Sequence, residues 1–179
     1  RVTRATQQLP NARSERDVAE ITVDIAAAVI DCPVVGWWRY EAETDALLPT
    51  AAAGATVDVA GDEASDALPK FDPGDDVMDV FSTGTPQVVE EGAIATLSLD
   101  GSGLEALYLF PVGDRALLAI GSKEAGHFEG FERNLIEILG RSATDALERV
   151  IREAELESQR EDLKRSNENL QQFAYTASH

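Results

Sequence analysis

The chain has 179 residues, 44% of them hydrophobic, with 33 acidic against 15 basic side chains and a formal net charge of -18. Such a surface repels phosphate backbones and anionic lipid, which excludes nucleic acid and direct membrane contact, and the apolar fraction excludes an acidic disordered protein. A single cysteine, Cys32, rules out disulfide stapling, two distant histidines offer no metal-ligand spacing, and no apolar run reaches the roughly 18 residues of a membrane span.

The length suits one ordinary domain followed by an extended element. Acid excess with only three lysines, Lys70, Lys123 and Lys164, on a normal apolar core reads as adaptation to high salt, where self-repulsion is screened. A halophilic, archaeal source and a cytoplasmic location are therefore expected.

Arg1 to Arg13 lacks periodicity and reads as a linker. Ser14 caps a helix, Asp17 three residues on approximates a capping box, and Val18, Ile21, Ile25 and Val29 give a 3.6-residue stripe that ends near Asp31-Cys32-Pro33. Val34 to Tyr40 and Asp45 to Ala53 read as a hairpin. Ala55 to Pro73, dominated by Gly, Asp and Pro, predicts a loop with one short helix. Asp75 to Ser82 predicts a helix closed by Gly84, and Pro86 to Glu90 a peripheral strand. Leu104 to Pro111 and Arg115 to Gly121 are apolar runs joined by Val112-Gly113-Asp114, a hairpin signal. His127 falls in a Gly-rich turn and reads as a surface loop residue. From Gly130 a helical pattern runs to the end with Gly140 as its one breaker.

In the last stretch Leu156, Leu163, Leu170 and Ala177 recur every seven residues, with Gln159, Ser166 and Phe173 at the intervening positions. That spacing predicts a weakly packed two-stranded coiled coil, and thus a homodimer through the exit helix. The apolar stripe changes phase between Leu147-Ile151-Ala154 and the leucine series, which reads as a stutter. Ion pairs are expected from Glu148 to Arg152 and from Glu161 to Arg165.

The order of elements predicts an α+β fold, helices on an antiparallel sheet. It resembles a GAF domain over about Ser14 to Val150. The segments that carry the resemblance are Val34-Val35-Gly36-Trp37-Trp38-Arg39-Tyr40-Glu41, Phe81-Ser82-Thr83-Gly84-Thr85-Pro86-Gln87-Val88-Val89, Tyr108-Leu109-Phe110-Pro111-Val112-Gly113 with Ala116 to Ser122, and Phe128 to Leu139 leading into Ala146-Leu147-Glu148-Arg149. A PAS domain is the competing sensor fold. The GAF resemblance implies a small-molecule pocket between the sheet and the middle helices, with Trp37 or Trp38, Tyr40, Phe71, Met78 and Phe81 as candidate ligand-binding residues; the plain alternative is that these side chains are core. The Asn-Lys-x-x-x-Phe-Asp pattern of cyclic-nucleotide binders is absent. Cys32 precedes Pro33 and lacks the following histidine of many bilin-attaching members, so it reads as a small buried hydrophobe. Members that reduce free methionine sulfoxide use several cysteines, where this chain has one.

The run from Leu163 to His179, ending Phe173-Ala174-Tyr175-Thr176-Ala177-Ser178-His179, resembles the first helix of the phosphoacceptor domain of sensor histidine kinases, up to the H-box histidine. The resemblance implies that His179 is the phosphoacceptor, that the parent protein is an ATP-dependent protein-histidine kinase continuing past this residue, and that a response regulator receiver domain is its partner. ATP and magnesium would belong to a kinase domain outside these 179 residues. No Gly-rich nucleotide-binding segment occurs within them, so they should hold no cofactor and be inactive alone. The expected organisation is linker 1–13, sensor domain 14–140, signalling helix 141–172 and H-box start 173–179. The alternatives are a GAF sensor of a transcriptional regulator and a ligand-free dimerisation spacer.

Overall fold

A computed structural model describes residues 8–54, 58–60, 62–90 and 103–178. Six strands form one antiparallel sheet in the order β3-β2-β1-β6-β5-β4: β1 Val34–Glu41, β2 Ala46–Ala53, β3 Asp58–Ala60, β4 Gln87–Glu90, β5 Ala106–Val112 and β6 Ala116–Ser122. Among the described residues four α-helices flank it: α1 Glu15–Val29, α2 Asp62–Ala67, α3 Asp76–Thr83 and α4 Phe131–Ser178. This is the expected α+β class. The middle segment adds β3 to its short helix, an edge strand of three residues too short to show a period-two pattern.

The central strands of the sheet are buried on both sides. One core joins Val35, Trp37, Tyr108, Phe110, Leu118 and Ile120 to α1 and α4. The other joins Trp38, Leu107, Leu109, Leu117 and Ala119 to the α3 side chains Val77, Met78, Val80 and Phe81. Successive residues of a strand point to opposite faces, so two covered faces produce the unbroken apolar runs of β5 and β6, every residue of which is buried. Leu47 and Ala52 share one face although they lie five positions apart, an odd offset that regular alternation would put on opposite faces. A register shift between Trp37 and Trp38, which pair with Ala51 and Pro49, inserts Thr50 as an extra residue and reverses the alternation.

α1 begins on a capping box: the Ser14 hydroxyl accepts from the Asp17 amide at 3.0 Å, and the Asp17 carboxylate accepts from the Ser14 amide at 3.1 Å. α3 closes on Gly84 at φ 65°, a left-handed conformation costly for residues with a Cβ. The entry segment is no free linker, for Leu9 and Ala12 are each 2% exposed and belong to the α1–α4 core. The Arg149 guanidinium on α4 donates to the carbonyls of Leu9 and Ala12, at 3.1 Å each, tying the incoming chain to the outgoing helix.

α4 runs 48 residues without a break. Gly140 is not a breaker but a recess, since a Cβ there would lie 2.5 Å from Cε1 of the Phe110 ring on β5. The expected stutter resolves differently. Ile136, Leu139, Ala143, Leu147 and Val150 face the domain, whereas Leu156, Leu163 and Leu170 are 54 to 70% exposed. At about 100° per residue the two series lie on opposite sides of one regular helix, so the change of phase is a change of face. Arg165 lies 3.9 Å from Asp162 rather than pairing with Glu161, and Arg149 pairs with Glu153 at 3.3 Å.

Candidate functional site

The pleat of β1 decides between the two tryptophans. Trp38 faces α3, together with Phe71, Met78, Phe81 and the ring of Tyr40, whereas Trp37 faces α1 and α4 and lies outside the expected pocket. The five side chains gathered there fit closely. Trp38 and Phe71 ring centroids are 5.4 Å apart, and those of Tyr40 and Phe81 5.1 Å, both tilted. Gly36 permits this arrangement, because a Cβ at that position would meet Cη2 of Trp38 at 2.5 Å and Cδ1 of Leu68 at 2.9 Å.

Phe71 is held by two backbone bonds with Leu47, Leu47 N–H to Phe71 O at 2.9 Å and Phe71 N–H to Leu47 O at 3.1 Å, which extend the outer edge of β2. The polar atoms of the cluster are engaged. Trp38 Nε1 donates to Pro69 O at 2.7 Å, and the Tyr40 hydroxyl donates to Asp45 Oδ1 at 2.9 Å. That hydrogen bond, reinforced by partial burial and the negative charge of Asp45, raises the Tyr40 pKa above its ordinary 10.0. Apart from the Tyr40 hydroxyl, held by Asp45, the group offers apolar contact.

Cys32 is 4% exposed, and burial, with the negative charges of Asp31, Glu132 and Glu124, pushes its thiol up to about 12. It is thus the expected small hydrophobe rather than a thiolate. His127 is not a surface residue: its side chain is 15% exposed, with Nε2 3.6 Å from Cys32 Sγ and its ring edge-on to Phe128 at 5.2 Å. The turn that carries it meets Cys32, just before β1, and half-buries it, and nothing local in the sequence signals that contact. Among the described residues no three His, Cys, Asp or Glu side chains gather as a metal site, and no helix is long and apolar enough to cross a membrane.

His179 lies outside the described residues. The helix leading to it is exposed through Ser178, with Phe173 at 74% and Tyr175 at 67%. The hydroxyls of Thr176 and Ser178 donate back to Gln172 O and Ala174 O at 2.9 and 2.8 Å, so both stay within the helix backbone.

No protein-family model and no curated protein matches the chain. Solved structures do. The GAF domain of an Acinetobacter phosphoenolpyruvate-protein phosphotransferase is 15% identical with a TM-score of 0.67, over 83% of this chain and 90% of that one. A free methionine-R-sulfoxide reductase from Neisseria meningitidis, in complex with its substrate, is 14% identical with a TM-score of 0.68, over 86% and 89%. The photosensory core module of a Stigmatella aurantiaca phytochrome is 15% identical with a TM-score of 0.60, over 82% of this chain and 35% of that longer one. At these identities the likeness is one of fold, and the fold is GAF-like.

Proposed function

We propose that this chain is the sensory input module of a two-component sensor histidine kinase, comprising a GAF sensor domain, a signalling helix and the start of the phosphoacceptor helix. The reading is carried by α4: its first turns pack under the sheet, its last turns are exposed, and it leads into the H-box-like Phe173 to Ser178 that precedes His179. A shift of the domain core would pass along such a helix without an intervening hinge. In the intact kinase neutral His179 would attack the γ-phosphate of ATP through a ring nitrogen, and the phosphoryl group would then pass to an aspartate of a receiver domain. ATP and magnesium would be held by a kinase domain outside these residues. The protein is read as a cytoplasmic, halophilic homodimer paired through the leucine face of α4.

The test is phosphorylation. Incubated with labelled ATP the 179-residue chain should acquire no label. Extended through the rest of the phosphoacceptor domain and supplied with an ATP-binding kinase domain, it should be labelled on His179. Labelling that survives His179→Gln would remove the assignment. One observation favours a second reading, the ligand-free dimerisation spacer, for the rings of Trp38, Phe71, Tyr40 and Phe81 already fill the face where a ligand would enter. A native mass spectrum carrying a bound small molecule would reject the spacer.

A further inference from the structure

The opposite face holds a cleft of about 400 Å³ at one end of the sheet, within the size range of small-molecule sites. Trp37 of β1 and Leu147 of α4 line it, together with Arg39 from β1, Arg115 from the β5–β6 turn and Arg16 from α1. Three of only 15 basic side chains in a chain of net charge -18 line one depression. The fold puts them there by separate means. Arg39 follows Trp37 by two residues and shares its face; Arg115 is carried by a hairpin whose Arg115 carbonyl accepts from the Tyr40 amide at 2.8 Å; and the extra residue of the β2 bulge, Thr50, lines the cleft as well.

Existing partners hold two of these guanidinium groups loosely. Arg39 lies 3.5 Å from Glu41 and Arg115 3.8 Å from Asp114, with the arginine side chains 46% and 51% exposed, so neither pair resists exchange for a better acceptor. Arg16 is bound more firmly, at 2.7 Å from Glu20, and adds charge to the rim rather than a grip. The start of α1 contributes little, because Ser14 and Asp17 already cap it, and Glu15 on the wall opposes an anion.

We propose that this cleft binds a small phosphomonoester, its dianionic group between Arg39 and Arg115 and its organic body against Trp37 and Leu147. Planar guanidinium forks match phosphate oxygens in pairs, and two of them match a dianion better than a single carboxylate. The volume exceeds that of an inorganic phosphate several times over, and the remainder is bounded by Thr50 and by the small exposed edges of Trp37, Ala116 and Leu147, each 2 to 3% exposed. Because Leu147 belongs to the exit helix, an occupant touches both the sheet and the output element. The inference rests on the cleft alone and does not depend on a kinase role.

Calorimetric titration of the 179-residue protein with ribose 5-phosphate, inorganic phosphate, ribose and succinate tests it. Ribose 5-phosphate should bind saturably at one site, roughly tenfold tighter than inorganic phosphate, and ribose should not bind. Arg39→Gln or Arg115→Gln should each weaken binding by roughly tenfold or more, Arg39→Lys by less, and Arg141→Gln on the exposed side of α4 should leave it unchanged. Circular dichroism of Arg39→Lys and Arg39→Gln separates loss of binding from loss of fold. Absence of saturable binding to the phosphate ester, equal binding of succinate or ribose, or full affinity in correctly folded Arg39→Gln would each overturn the proposal.

Discussion

Gly140 shows how one residue can run against its own propensity. Glycine in a helix interior is less favourable than alanine by about 1 kcal/mol, so Gly140→Ala would ordinarily stabilise α4. Here the added methyl meets the Phe110 ring at 2.5 Å, and Phe110 is a buried core residue, 6% exposed. The expected outcome is net destabilisation by about 1–3 kcal/mol in denaturant unfolding, relieved when Phe110 is shortened to leucine in the same protein. A gain in stability from Gly140→Ala alone would contradict the packing described. Cys32 likewise departs from its ordinary chemistry. With its thiol pushed up to about 12 from an ordinary 9.0, the thiolate fraction at pH 8 falls roughly 10³-fold. Alkylation by a thiol reagent at pH 8 should be slower in the folded than in the unfolded protein by at least that factor. The raised value also sets the direction of linkage: stability is untouched below pH 9.0 and falls as the pH rises toward about 12, because only the unfolded chain then loses the proton.

α4 presents two apolar faces on one element. Its inner face is part of the α1–α4 core, and its outer face collects Phe131, Ile138, Leu156, Leu163 and Leu170, all exposed. Ile138 and Leu156 are 18 residues apart, about five whole turns, so the leucine series continues the line of Phe131 and Ile138. Between them the line turns polar at Ser142, Asp145 and Arg149, which with Leu9 and Pro10 border a cavity of about 300 Å³ where the entering chain lies against the helix. Parallel pairing of two copies would set apolar ends against apolar ends and leave this middle stretch to the Arg149 clasp. Light scattering in molar salt should therefore give a dimer, and Leu163→Glu should weaken it by roughly tenfold or more, since like charges would meet across the seam. A monomer at concentrations well above micromolar would count against the pairing.

For the molecule as a whole, 33 acidic groups against 15 basic ones act as a distributed repulsion that no single contact offsets. Ion pairs such as Arg16 with Glu20 and Lys70 with Asp72 join exposed side chains and contribute little each. Salt shortens the range of the repulsion from about 10 Å at 0.1 M to about 3 Å at 1 M. The melting temperature should therefore climb steadily as potassium chloride is raised from tenths of a molar to molar. A melting temperature that stays flat or falls would rule out charge screening as the basis of the composition.

Local chemistry was enough to place the capping box at Ser14, the Gly84 stop, the edge position of the strand after Pro86 and the β5–β6 hairpin, because each depends on neighbours a few residues away. Binary pattern was enough for the α+β class. It could not say which of two adjacent tryptophans faces which core, since alternation defines two faces but only the covering helices name them. Nor could it find β3, the half-buried contact of His127 with Cys32, or the docking of Leu9 under Arg149, which join residues far apart in the chain. The meeting of Arg16, Arg39 and Arg115 is of the same kind: three ordinary surface arginines by sequence become one cationic cleft only after a helix start, a strand end and a hairpin turn have been folded to the same corner.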